Sequence, residues 1–288
     1  MVKLLVDRAA DIAPETAGRY GIEVLPFVVN LDGESIIVDK DYPADRFYSL
    51  LRASGSIPTT SQMSPEELEN IFRRMGKENP IIYVSISAKG SGINSMAGLI
   101  AESLGDEGYD ITVIDSGMYA YAIGFPVVEA AELAERGAGK DEIISFLKQA
   151  FERDTAYFIV DDLTYLKKGG RIKATTMAVS NLLDIKPILM ITDGLVEAYK
   201  KVRGLKKAMS VLVGYIEERM EDPGNNEVVI LDADAQDKAA AIEPLIRKRV
   251  NPGSVSFSHI GPVVTAHTGP GLIGVYFKHK KPYTEYGK

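Results

Sequence analysis

The chain's 288 residues, 45% hydrophobic and 25% charged, suffice for one large domain or two modest ones around a buried core. Its formal net charge of −7 comes from 40 acidic and 33 basic residues mixed along the sequence, so no basic stripe offers counterion release and nucleic acid is not an expected partner. With no cysteine, disulfides, thiolate nucleophiles and thiolate metal sites are excluded.

Lys3, Asp7 and Arg8 interrupt the opening apolar run too early for a secretory core, and it reads as a first strand over 3–6. Nowhere do about 18 apolar residues run together as a membrane span requires. A soluble, cytoplasmic protein is the expectation. Further strands are expected at 81–86 and 111–114, short apolar runs alternating with amphipathic stretches in the manner of βαβ units and a mainly parallel sheet. A helix start stands between the first two: Ser64 as N-cap, Pro65 at the first helical position and Glu67 closing a capping box, with Leu68, Ile71, Phe72 and Met75 along one face.

Helices at 95–104, 117–136 and 140–151 follow, then a strand at 157–160. A change of domain near Arg153 divides the chain into 1–153 and 154–288. Leu166-Lys167-Lys168-Gly169-Gly170 reads as a helix end with a glycine cap, which accounts for the lysines but not for Arg171. Beyond it, 187–192 and 195–202 flank Asp193-Gly194, the turn pair of an antiparallel hairpin. Helices at 205–220 and 236–250 enclose a strand at 228–231, and a strand at 272–277 closes the chain. The fold class is therefore α/β in two domains, the N-terminal one mainly parallel and the C-terminal one mixed with an antiparallel hairpin.

In open parallel sheets, ligands bind beyond the carboxyl ends of the strands. The positions there are small or polar, Asp7, Ser87 to Gly92 and Asp115-Ser116-Gly117, while Pro58-Thr59-Thr60-Ser61-Gln62 forms a hydroxyl-rich loop before the capped helix. Strand ends and N-caps favour Ser, Thr and Asp in any case. Ser91-Gly92 has the added attraction of opening a helix whose N-terminal N–H groups favour an anion.

Of three histidines, His259, His267 and His279, only His267 stands in a glycine-proline frame, His267-Thr268-Gly269-Pro270-Gly271. Read as a short turn between two strand-like apolar runs, this segment could bring an imidazole, a hydroxyl and backbone N–H groups to one small anion. An ordinary turn with a solvated histidine has the same composition. Arg203, at the end of the hairpin strand, is equally open between a solvated face and contact with a phosphate or an acidic partner.

Self-contained catalytic motifs are absent. Lys89 stands where a nucleophile elbow around Ser91 needs its first glycine, and there is no Walker loop, Gly-x-Gly-x-x-Gly or His-Glu-x-x-His. Asp115-Ser116-Gly117 has no second copy to make an aspartic dyad.

The ordered set Pro58-Thr59-Thr60-Ser61-Gln62, Ser87 through Gly92, Asp115-Ser116, Lys168-Gly169-Gly170-Arg171-Ile172, Lys186-Pro187-Ile188-Leu189, Lys201-Val202-Arg203 and His267-Thr268-Gly269-Pro270-Gly271 resembles the DegV family of bacterial fatty acid-binding proteins. The resemblance covers nearly the whole chain. It implies one long-chain fatty acid in an interdomain cleft as the only ligand, with no metal or other cofactor. It also implies a partner, an ATP-binding kinase subunit related to dihydroxyacetone kinases, to which the lipid is presented, with no membrane span and at most transient membrane contact. Carried over by residue, Thr60, Ser61, Ser91, Gly92, His267 and Thr268 would hold the carboxylate, His267 and Arg203 would assist the kinase, and Arg171 would be a partner or phosphate contact. No residue is expected to be catalytic in isolation. Competing readings are a lipid carrier or sensor without a kinase, and a hydrolase using Ser91 and His267. Two departures stand out: Asp7-Arg8-Ala9 where Asp-Ser-Thr is usual, and Gly90-Ser91-Gly92-Ile93 where Leu-Ser-Gly-Thr is usual.

Overall fold

The computed structural model describes residues 2–177 and 184–287. In the first half lie strands β1 (Lys3–Asp7), β2 (Glu23–Leu25), β3 (Phe27–Leu31), β4 (Glu34–Val38), β5 (Thr59–Ser61), β6 (Ile81–Ser85) and β7 (Ile111–Asp115). The second half supplies β8 (Ala156–Ile159), β9 (Ile185–Thr192), β10 (Leu195–Arg203), β11 (Glu227–Ala233), β12 (Ser254–His259) and β13 (Leu272–Tyr276).

A four-stranded sheet in the order β2-β1-β6-β7 is parallel throughout. Every residue of β6 is buried, because helices cover both faces, and such strands read as continuous apolar runs. The helix Pro65–Met75 carries the expected capping box, with the Glu67 N–H donating to Ser64 Oγ and the Ser64 N–H to Glu67 Oε2, and it buries Leu68 and Phe72. A small antiparallel sheet, β4-β3-β5, joins this half. Residues 59–61, expected to be loop, form its edge strand, with Thr60 opposite Val29. Three hydroxyl residues show no apolar alternation; their register is set by β3, which buries Phe27, Val29 and Leu31 on one face.

The second half builds a six-stranded mixed sheet, β10-β9-β8-β13-β11-β12, parallel only between β11 and β12. Asp193 and Gly194 take the left-handed φ values of 52° and 72° that a two-residue hairpin turn requires. Residues alternate across this sheet. Ala156 and Phe158 of β8 face the first half, whereas Tyr157 points to the far side, where it and Tyr199 accept hydrogen bonds from Arg219 (3.0 and 2.9 Å).

Two expected elements differ. The helix placed at 117–136 begins at Tyr121, because Gly117 and Ala120 adopt positive φ and the Ala120 N–H is bound to the Ala9 carbonyl (2.8 Å). The run before His267 is no strand and the histidine is not on a turn: Pro262–Thr268 is a helix, with Pro262 at its first position and His267 in its last turn. Its residues are almost all buried, so no solvent-facing polar stripe marks the 3.6-residue period. Gly269 and Gly271 do adopt the positive φ expected of them.

Asp7, at the end of β1, is fully buried; its carboxylate accepts the Tyr83 hydroxyl and the Ile86 N–H (2.6 Å), and burial pushes it up to about 7. The Asp7→Ala variant leaves both donors without a partner and is expected to lose about 2 kcal/mol in urea unfolding at pH 8. The gap from wild type should widen at pH 5. A carboxyl with a raised folded pKa contributes stability that is fully present below its unfolded value and lost as pH rises through about 7. A gap that narrows at pH 5 would show that Asp7 is charged in the folded protein.

Candidate functional site

A cavity of about 340 Å³ lies between the six-stranded sheet and the first half of the chain. Its floor crosses five neighbouring strands, from Val196 of β10 through Ile191, Phe158 and Leu272 to Leu231 of β11. At about 4.8 Å per strand, that row is roughly 19 Å long. The helix Pro262–Thr268 forms part of the roof, contributing Val263, Val264, His267 and Thr268. It starts beside Ile260, at the β11–β12 end, and finishes against Gly169, so its polar terminus lies toward β10.

The polar groups gather at that end. Arg171 follows the Gly170 cap, and the next residue, Ile172, bridges to Val196 of the edge strand. Its guanidinium donates from Nε to the Gly90 carbonyl (2.8 Å) and from Nη1 to the Gly169 carbonyl, tying the second half to the loop that carries Ser91. His267 Nε2 meets Thr60 Oγ1 at 2.8 Å, and Nδ1 is buried with no hydrogen-bond partner among the described residues. A Cβ on Gly169 would come within 2.5 Å of that Nδ1, so a glycine is required beside the ring. Burial first, and the Arg171 cation second, push the imidazole down to about 4, leaving it neutral at pH 7. Ser91 Oγ donates to Gln62 Oε1 (3.3 Å) and accepts from the Ile93 N–H, while Ser61 accepts from Asn30 (3.2 Å). Thr268 lines the wall, but its hydroxyl turns back to the Val264 carbonyl (3.2 Å).

Thr60, Ser61, Ser91, Gly92, His267, Thr268 and Arg171 are thus brought to one cavity. Arg203 is not. It is exposed, seven residues along β10 from Val196, a span of about 20 Å. The Ser91–His267 dyad that a hydrolase needs is also absent from the hydrogen bonds of the described residues, because Nε2 is committed to Thr60 and Ser91 to Gln62. Sequence reasoning missed Tyr119, Phe27 and most of the floor; strand runs were legible there, but which face they turned to the cavity was not. The unusual Arg8 is buried away from the cavity, donating to the Asp39 carbonyl (2.7 Å) and pairing with Asp11 (3.3 Å), whose other oxygen accepts the Gly261 N–H (2.9 Å). The unusual Ile93 is fully buried in the core. Neither departure alters the cavity wall.

Among the lining residues, only Arg171 bears a full charge at pH 7, at one end of an otherwise mainly apolar space. Such a wall suits one anionic group on a long apolar body. The DegV family model, described as "Uncharacterised protein, DegV family", matches residues 1–280. This chain belongs to the DegV family. It is 33% identical to a DegV domain-containing protein of Caldanaerobacter subterraneus, over 97% of this chain and 99% of that one. A fatty acid-binding protein of Thermotoga maritima is 32% identical, over 95% of this chain and 96% of its own. In structure, a fatty acid binding DegV family protein from Streptococcus agalactiae superposes with a TM-score of 0.87 at 27% identity, over 98% of this chain and 99% of that one. The two-domain DegV architecture is therefore that of this chain. Among the described residues, no helix is long and apolar enough to cross a membrane and no acidic or histidine cluster could hold a metal ion.

Proposed function

We propose that this chain binds one long-chain fatty acid and presents its carboxylate to a separate ATP-dependent kinase subunit, related to dihydroxyacetone kinases, which converts it to an acyl phosphate. The observation that carries the binding half is the single cation, Arg171, at the polar end of an apolar cavity whose floor runs roughly 19 Å. The tail supplies affinity: about 14 methylenes at about 0.8 kcal/mol each give roughly 11 kcal/mol before association costs. The head group supplies orientation. Arg171 offsets its charge, and Thr60, which His267 Nε2 holds at 2.8 Å, and Ser91 offer hydroxyls.

The kinase half rests on the family resemblance, with which a sequence holding neither a Walker loop nor Gly-x-Gly-x-x-Gly is consistent. In the transfer, a carboxylate oxygen attacks the γ-phosphorus of ATP and ADP leaves. The neutral His267 can donate a hydrogen bond without adding charge, and Arg171 holds the nucleophile in place. Arg203, outside the cavity, would contact the partner rather than the lipid.

Extraction of the purified protein with organic solvent, followed by mass spectrometry, is expected to yield fatty acid at about one equivalent; an extract free of amphiphiles would end the lipid reading. Incubated alone with ATP and fatty acid, the protein should release no ADP. With the kinase subunit added, Arg203→Ala is expected to retain its lipid and lose phosphorylation. Turnover without a second protein would contradict the presentation model, and unchanged phosphorylation by the variant would remove Arg203 from it.

A further inference from the structure

The tip of the β9–β10 hairpin does more than reverse the chain. The buried carbonyl of Gly194 accepts two hydrogen bonds from the other half of the molecule, one from Ser87 Oγ (2.7 Å) and one from the Tyr119 hydroxyl (2.8 Å). A Cβ on Gly194 would lie 2.5 Å from Ser87 Oγ, so this glycine is needed for close approach as well as for its φ of 72°. Ser87 also begins the loop that carries Ser91: its own carbonyl accepts the Gly90 N–H (2.8 Å) and the Ser91 N–H (3.0 Å), and its Oγ accepts the Lys89 N–H (3.2 Å). Tyr119 packs on the same loop, since a Cβ on Gly90 would fall 2.3 Å from its hydroxyl. Next to them, Lys89 pairs with Asp193 at 2.6 Å, but both are exposed and that pair contributes little.

We infer that Ser87 and Tyr119 are positioning residues that, through the shared Gly194 carbonyl, clamp the hairpin tip onto the Ser87–Gly92 loop and so set Ser91 in register with Arg171 and His267. The two halves of the carboxylate site come from opposite sides of the cavity, Ser91 from the first half of the chain and Arg171 and His267 from the second. Two hydrogen bonds, one buried and one partly buried, converge on one acceptor at that seam. A further direct tie between the halves, from Arg171 Nε to the Gly90 carbonyl, holds the backbone of the same loop. Because the donors share an acceptor, either one alone keeps the carbonyl satisfied, and the clamp opens only when both are gone.

This inference rests on the fatty acid reading, and its test separates the two. Ser87→Ala, Tyr119→Phe and the double variant are compared with wild type for binding of palmitic acid and of hexadecanol, which has the same tail and no carboxylate. Wild-type protein that does not bind the acid refutes the fatty acid reading itself. If wild type binds it, each single variant should weaken the acid by about threefold or less and the double variant by at least twentyfold, with the alcohol changed less than threefold throughout. Equal loss for acid and alcohol would make these residues general supports of the cavity and overturn the inference. So would a double variant that binds the acid like wild type. If the double variant does not fold, Tyr119→Phe combined with Ser87→Cys, whose thiol keeps the volume but donates only weakly, decides it by the same comparison: a loss for the acid and not for the alcohol is expected, and equal loss for both, or none, would overturn the inference.

Discussion

Replacing Arg171 by alanine is expected to weaken fatty acid binding roughly 150-fold, or about 3 kcal/mol, because a carboxylate would then be buried with no cation beside it. Lysine at this position should recover part of the loss, since it restores the charge but not the planar fork that reaches the Gly90 and Gly169 carbonyls while facing the ligand. Titration of the ligand-free variant by NMR adds a second reading. The His267 imidazole, held at about 4, should move up when the neighbouring cation is removed, yet stay below 6.5 because burial is the larger cause. Affinity within threefold of wild type, or an imidazole that does not move, would remove Arg171 from the head-group site.

Leu231→Trp is expected to cost about a hundredfold in affinity for an eighteen-carbon acid while leaving a ten-carbon acid within threefold. Leu231 lies on β11, four strands from Val196, so its side chain is at the opposite end of the floor from Arg171. An indole there would displace three or four methylenes, each contributing about 0.8 kcal/mol. Overpacking costs about 1–3 kcal/mol of stability, so melting temperature is followed alongside binding. Equal loss for short and long acids would mean that the tail does not run along the strand row.

The first strands, the Ser64 capping box and the Asp193-Gly194 hairpin were legible in the sequence because each is specified by residues adjacent in the chain: a continuous apolar run, a cap three residues from its partner, a two-residue turn. The β5 strand and the helix Pro262–Thr268 were not. One is held by its pairing with β3 and the other is buried on nearly every side, so neither leaves a local period to read.

The same division runs through the site. The family and most of the candidate polar groups are legible in the chain alone, since glycine-framed and hydroxyl-rich loops are local patterns. Which of them meet depends on packing. Arg171 enters the cavity because its turn bridges to Val196, whereas Arg203, on the same strand as Val196, is carried about 20 Å away from it. The neutrality of His267 was likewise out of reach, because it arises from burial and from a cation 96 positions distant in the chain. Local chemistry chooses the side chains; desolvation and through-space charge, which depend on packing between the two halves, give them their roles.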